Sequence, residues 1–258
     1  MIFTPKEIAM DNTNPFEKPV SKDEFNGFWI PHHNALVMKQ GLEDNKAPFL
    51  PDASGNIKAE AVYNAASGYC LPAGRLIPVQ FAKMNNGYSS NVVIPRTTIT
   101  AMEQSIKENE KGVFFNYKDE EGEYHVGSLF FPEQTQDPNG IVNATKDRLQ
   151  QPVKLNDTSL VIASSEPKEY LGSYIAACRS GMKLSVDPQI AEEFKSKIMP
   201  TLNNDIRDPD KRNKDIPSLS NVLFEAEKRG SEICRTLESE RGQTVETKKK
   251  QPEMEVCF

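Results

Sequence analysis

Histidine is scarce in this sequence and its cysteines lie far apart along the chain, which argues against a metal centre and against a disulfide framework. The 258 residues contain three histidines and four cysteines, namely His32, His33, His125, Cys70, Cys178, Cys234 and Cys257. Because no C-x-x-C pair and no H-E-x-x-H motif occurs, we expect no cofactor, and thiols that stay reduced. The adjacent His32 and His33 fit either a metal or phosphate contact or a polar turn beside Trp29.

Short catalytic signatures and long apolar runs are missing as well. The sequence has no G-x-x-x-x-G-K-[ST] loop, no G-x-S-x-G elbow and no G-x-G-x-x-G loop. No general base stands beside a candidate nucleophile, so we expect a protein that is not an enzyme. No apolar run approaches the roughly 18 residues of a membrane span, and no secretory signal is found, which predicts a cytoplasmic protein without a membrane partner.

The charge is acidic overall but unevenly distributed. The whole chain carries a net charge of −6. Residues 64–117, which we call the basic stretch, hold five basic and three acidic residues, a net charge of +2, so the remainder carries −8. An acidic surface repels nucleic-acid phosphates, and we therefore expect any contact with a nucleic acid in the basic stretch.

The hydrophobic periodicity predicts an α+β fold, with a small antiparallel sheet and packed helices followed by a helix-rich C-terminal half. The clearest element is a hairpin, because apolar residues alternate over residues 112–117 and 124–131 on either side of a turn at 119–122. Residues 57–66 fit a helix or a strand. Helices are predicted at 21–30, 77–84, 97–109, 166–179, 188–200 and 218–237, and a strand at 160–163. Pro31 is expected to end the first helix.

Composition divides the chain into four predicted regions. Residues 1–20 are an extended arm, residues 21–150 an α+β domain, residues 151–237 a helical region packed on that domain, and residues 238–258 a flexible tail. A single continuous domain is equally compatible with the sequence.

The basic stretch contains both kinds of side chain that a single-stranded nucleic acid needs, cations for its phosphates and aromatic faces for its bases. Asparagine side chains add hydrogen bonds to phosphates or base edges. The candidate binding residues are Asn64, Tyr69, Arg75, Lys83, Tyr88, Arg96, Lys107, Lys111 and Tyr117. In the alternative interpretation, the tyrosines are half-buried and the cations are ordinary surface charge.

Several short motifs of this stretch resemble the N-terminal domain of ArdC-type antirestriction proteins. They are Asn64-Ala-Ala-Ser-Gly68, Gly74-Arg-Leu-Ile77, Gly87-Tyr88 and Lys107-Glu-Asn-Glu-Lys-Gly-Val113. The resemblance covers about residues 57–131. It implies a module that binds single-stranded DNA, of the kind found in conjugative plasmids and in phage proteins thought to protect incoming DNA.

The sequence departs from the family pattern at several positions. Ser67 replaces the usual threonine, Pro72-Ala-Gly74 stands where Tyr-Arg-Gly is expected, and Glu108-Asn109 stands where Lys-Gly precedes Glu110. Full-length members also carry a zinc-peptidase-like domain with H-E-x-x-H. This chain lacks that motif, so the resemblance implies no protease activity.

Two functions are compatible with these features. The first is a non-enzymatic phage or mobile-element protein that binds single-stranded DNA or counters host defence, acting in the bacterial cytoplasm or delivered there with the DNA. The alternative is an acidic inhibitor of a host defence nuclease or of another nucleic-acid-binding protein, without DNA binding of its own. The partner is single-stranded DNA in the first case and a host defence protein in the second.

Overall fold

The computed structural model of the protein describes residues 29–118, 121–122, 124–149 and 159–240. The predicted arm, nearly all of the predicted helix at 21–30, and residues 241–258 lie outside the described residues. Seven α-helices fall within them: α1 (Ile30–Glu43), α2 (Ala73–Asn86), α3 (Arg96–Ala101), α4 (Pro138–Thr145), α5 (Pro167–Ser180), α6 (Pro188–Asp205) and α7 (Leu219–Glu240). Three of the last four are long, which confirms the helix-rich C-terminal half.

Seven short strands form two small sheets. The strands are β1 (Asn56–Ile57), β2 (Tyr63–Asn64), β3 (Val92–Pro95), β4 (Val113–Lys118), β5 (Tyr124–Phe130), β6 (Ser159–Ile162) and β7 (Lys183–Val186). One sheet has the order β2-β3-β5-β4 and the other the order β1-β7-β6. Each contains one parallel pair, β2–β3 and β6–β7, beside antiparallel pairs. The predicted α+β class is confirmed, and both sheets are mixed rather than purely antiparallel.

The β4–β5 hairpin forms where the alternation of apolar residues predicts it. Its register pairs Val113 with Leu129 and Lys118 with Tyr124. Gly122 adopts φ +83° in the connection, a conformation that glycine reaches without steric cost. The hairpin therefore presents alternate side chains of β4 to opposite faces of the sheet.

Several helix boundaries differ from the prediction. Helix α2 begins at Ala73 rather than at residue 77, with Pro78 inside it. Helix α1 begins at Ile30 with Pro31 in its first turn, where the missing proline N–H is not needed, so the chain is helical through Pro31. Helix α6 continues past Pro200 to Asp205, because Leu202 and its neighbours are buried. The predicted helix at 97–109 is wrong beyond Ala101, since Ile106 is held extended by a β-bridge to Thr135.

One hydrophobic core joins the two halves of the chain. Phe49 packs edge-on against three rings, those of Phe81, Tyr174 and Phe194. Its carbonyl also accepts a hydrogen bond from the Tyr170 hydroxyl at 3.0 Å. The main cluster of buried apolar residues extends from α1 to α7, and β1 of the first half pairs with β7 of the second.

Glu227 of α7 contacts both α2 and α5. One carboxylate oxygen accepts a hydrogen bond from the backbone N–H of Ala73, at the start of α2, at 2.8 Å. The other lies 2.5 Å from Arg179 of α5. Because Pro72 offers no side-chain cap, Glu227 supplies the oxygen that the first turn of α2 needs.

Within the residues that the structure describes, no helix combines the length and apolar content needed to cross a bilayer.

The N-terminal turn of α1 is expected to make folding sensitive to mild acid. Burial lowers the pKa of His33. Burial also lowers the pKa of His32, as do Arg212 and His33, while hydrogen bonds to the backbone of Asp205 and Ile206 oppose this. The unfolded chain then binds protons that the folded chain does not. The contribution of these two neutral imidazoles to stability is complete above 6.5, their pKa in the unfolded chain. It is lost as the pH falls toward their lowered pKa values in the folded protein.

Urea denaturation of the wild type and of a His32→Gln, His33→Gln double variant between pH 7.5 and pH 5.5 measures this effect. We expect the midpoint of the wild type to fall more steeply with decreasing pH. Equal slopes for the two proteins would show that these imidazoles do not govern the acid response.

Candidate nucleic-acid interface

Two stacked pairs of planar groups lie on one face of the β4–β5 hairpin, and one of them includes a guanidinium from α2. In the first pair, the Arg75 guanidinium lies 4.2 Å from the centroid of the Phe115 ring, a typical cation–π distance. On the partner strand, Gly127 stands opposite Phe115. An ideal Cβ on Gly127 would come within 2.3 Å of Phe115 Cζ, so the ring is able to lie close against the backbone of β5 because residue 127 is glycine.

The second pair lies one step along the same face. Tyr117 is opposite His125 in the register, and the two rings stack with centroids 5.4 Å apart and an interplanar angle of 28°. The Tyr117 side chain is 38% exposed, and its ring centroid is 6.0 Å from that of Phe115. We call Arg75, Phe115, Tyr117, His125 and Gly127 the hairpin platform.

Two of the candidate cations lie at the end of the hairpin that is away from its turn. Pro95, Leu129 and Val113 lie in one row across β3, β5 and β4, so β3 and β4 are about 10 Å apart. Arg96 follows Pro95 directly, Lys111 precedes Val113 by two residues, and both side chains are exposed. Arg75 and Tyr117 lie beside Phe115, whereas Lys111 precedes Tyr117 by six residues, about 20 Å along β4. Arg96 and Lys111 are therefore at the end of the hairpin that is away from its turn.

Lys83 and Tyr88 are held by contacts inside the protein. The Lys83 ammonium lies 3.1 Å from the Glu60 carboxylate and also donates to Asn91 Oδ1. Tyr88 packs on Phe131 with ring centroids 4.7 Å apart and donates to Glu110 at 3.1 Å. Burial, helped by Glu110, raises the pKa of Tyr88 to about 12. Both residues support the fold, and their role in binding stays a prediction.

Lys107 stands at a turn ordered by Glu133. Its ammonium donates to the Glu133 carbonyl at 2.8 Å, and the side chain is otherwise exposed. One Glu133 carboxylate oxygen accepts from the backbone N–H groups of Ser89 and Ser90, both at 2.8 Å. Burial alone would raise the pKa of Glu133, but a hydrogen bond with its own backbone, together with those from Ser90 and Ser89, outweighs burial and lowers the pKa.

Asn64 and Tyr69 lie at β2, at the opposite edge of the sheet from β4. The Asn64 side chain accepts from the Ala66 N–H at 2.9 Å and so closes its own turn. Gly68, at φ +77°, meets the backbone of Arg148, whose carbonyl oxygen would lie 1.9 Å from a Cβ. The structure therefore separates Asn64 and Tyr69 from the hairpin platform.

Phe115, His125 and Gly127 are absent from the sequence-based set of candidates. The signal that points to them is the hairpin register, because counting outward from the turn places His125 opposite Tyr117 and Gly127 opposite Phe115. The described part of the chain contains no cluster of three or more metal-ligating side chains.

Comparisons with known proteins give one informative result. No family model and no curated protein matches the chain. The structure does align with the metal-free crystal structure of the antirestriction protein ArdC from plasmid R388, with a TM-score of 0.50 over 83% of this chain and 98% of that one.

The fold resembles that of ArdC. At 11% sequence identity, the likeness concerns the fold alone. It reaches well beyond residues 57–131, the span that the sequence motifs suggest.

Proposed function

We propose that this protein has an ArdC-like antirestriction role and binds single-stranded DNA on its β4–β5 hairpin. The observation that carries the proposal is a sheet with Arg75 and Tyr117 beside Phe115 and with the exposed cations Arg96 and Lys111 at the far end of the same hairpin, in a fold that resembles that of an antirestriction protein. In an otherwise acidic chain, this region offers both charge for phosphates and rings for bases. The role requires no catalytic group.

In this proposal, the exposed cations Arg96 and Lys111 contact backbone phosphates. Each phosphate that a protein neutralises releases counterions, and for single strands this adds about 0.7 to the slope of log affinity against log salt. Phosphate contacts fix the position of the strand without reading its sequence. The protein therefore coats exposed single strands of entering DNA irrespective of their sequence.

Salt titration of a labelled 20-nucleotide oligo-dT tests this proposal. We expect an Arg96→Gln, Lys111→Gln variant to bind roughly tenfold more weakly at low salt, with a salt slope smaller by about 1.4. The control changes charge equally in the exposed loop between α6 and α7, with Lys211→Gln and Lys214→Gln, and retains the wild-type slope. The DNA-binding function is refuted if the wild type shows no salt-sensitive binding.

A second function is favoured by a different observation. The chain has a net charge of −6, and the Lys83 ammonium is already paired with a carboxylate. An acidic inhibitor that occupies a defence protein would protect unmodified DNA entering restriction-proficient bacteria, and the Arg96→Gln, Lys111→Gln variant would protect equally well. If the protein captures a bacterial protein from lysate and the complex persists after nuclease treatment, this alternative is supported over DNA binding.

A further inference from the structure

We infer that the hairpin platform holds two successive unpaired bases, one on the Arg75–Phe115 pair and the next on the Tyr117–His125 pair. This inference rests on the proposed DNA-binding function and specifies which residues take the bases. It adds Phe115 and His125 as supporting rings and Gly127 as a positioning residue.

The first base position is formed by the guanidinium of Arg75. Gly127 lies on one side of the Phe115 ring and Arg75 lies over it, with 4.2 Å between the guanidinium carbon and the ring centroid. The ring is therefore covered, and a base reaches the guanidinium plane instead. Arginine planes and aromatic rings both serve as stacking surfaces for unpaired bases.

The second base position is the exposed face of Tyr117. The ring is supported from the neighbouring strand by His125, at 5.4 Å between centroids. A supported ring loses little side-chain freedom when a base stacks on it, because its orientation is already fixed. Among the tyrosines that the sequence nominates, Tyr117 is the one that is exposed and backed by a second ring on the platform.

The ring that carries Arg75 and the ring of Tyr117 are neighbours on one face of β4. Phe115 and Tyr117 are two residues apart on β4 and so point to the same face, with ring centroids separated by 6.0 Å. Four-stranded sheets that bind single-stranded RNA stack two or three bases on aromatic rings presented in this manner. Stacking uses the π-face that every base has, so the platform tolerates any sequence.

Gly127 determines how close the Phe115 ring, and Arg75 over it, lie to the sheet. A methyl group there would come within 2.3 Å of Phe115 Cζ and within 2.8 Å of Phe115 Cε2. Since the ring end is the part able to move, Gly127→Ala is expected to push Phe115, and Arg75 with it, away from the sheet. The Tyr117–His125 pair is unaffected by that change.

The test measures fluorescence anisotropy with two labelled 20-mers, oligo-dT and an abasic strand with the same number of phosphates. Tyr117→Ala is expected to weaken oligo-dT binding by roughly 5- to 150-fold and to leave abasic binding unchanged. Tyr117→Phe keeps the ring and is expected to bind as the wild type does. Gly127→Ala is expected to lower the preference for oligo-dT over the abasic strand.

Phe114→Ala is the matched control. Phe114 neighbours Phe115 on β4, points to the opposite face of the sheet, and is 42% exposed against 38% for Tyr117. Its removal is expected to leave the preference for oligo-dT intact. Thermal melting of each variant verifies that the fold is retained.

The outcomes separate this inference from the function on which it rests. If wild-type protein binds the abasic strand as tightly as oligo-dT, with normal salt sensitivity, the protein binds DNA but the platform holds no bases, and the inference is overturned. An equal loss for Phe114→Ala and Tyr117→Ala overturns it too. If neither strand binds at low salt, the proposed DNA binding itself is refuted.

Discussion

Replacing Gly68 by alanine is expected to lower the free energy of unfolding by about 3 kcal/mol. Two costs combine. A non-glycine residue at φ +77° is strained, and the new Cβ would lie 1.9 Å from the carbonyl oxygen of Arg148. That oxygen belongs to the backbone at the end of the 3-10 turn Lys146–Arg148, which is followed by Leu149, a residue packed against buried side chains. The clash is therefore not relieved by a side-chain rotation.

Urea denaturation measures the change, with Gly87→Ala as the matched control. Gly87 also has a positive φ, +69°, but a Cβ there would meet no atom within 4 Å. It retains the strain and lacks the clash, so we expect a loss of about 1 kcal/mol. Equal losses at the two positions would contradict the close approach of the Gly68 turn to Arg148.

Glu227→Ala is expected to destabilise the protein by a similar amount, about 3 kcal/mol. The change leaves the Arg179 guanidinium without its carboxylate and the Ala73 N–H without its acceptor. Arg179 and Glu227 side chains are 22% and 18% exposed, so water compensates only part of the loss. Unpaired charge in such a position is much more costly than a broken ion pair at the surface.

The control for this prediction lies on the same helix. Glu225 pairs with Lys228 at 2.9 Å, with both side chains about half exposed, and Glu225→Ala is expected to cost less than about 1 kcal/mol. Adding Arg179→Met to Glu227→Ala should recover part of the stability, because the unpaired charge is then gone. If the second substitution recovers nothing, the loss comes from the α2 cap rather than from Arg179.

Elements whose determinants are local were predictable from the sequence. The hairpin follows from alternation around a short turn, and α5 from Pro167 at its start and Gly181 after its end. Strand β7 was not predicted, and a strand was one of two alternatives for residues 57–66, which overlap β1. Two to four residues carry no period of their own, and the pairing of β1 with β7 joins distant segments. The prediction at 97–109 failed because a non-local bridge to Thr135 competes with helical propensity.

In the candidate site too, local features were predictable from the sequence and long-range contacts were not. Arg75 and Tyr117 were nominated from composition, and the fold places them beside Phe115. Glu60 and Glu110, which hold Lys83 and Tyr88, are more than 20 residues away from them in sequence, so no local pattern reveals that they are engaged. The stacking of Tyr117 on His125 becomes visible only once the strand register is known.

The pairing of β1 with β7 also limits how far the protein can fold while it is being synthesised. Asn56 is the register partner of Ser185, so roughly 130 residues of chain close into a loop before these two strands pair. Phe49 likewise reaches its full set of ring contacts only after Tyr174 and Phe194 have been synthesised. On the ribosome, the segment that bears the hairpin platform leaves the exit tunnel before the helices that complete the shared core. The amino-terminal half thus reaches its final packing only when the carboxy-terminal half has been made.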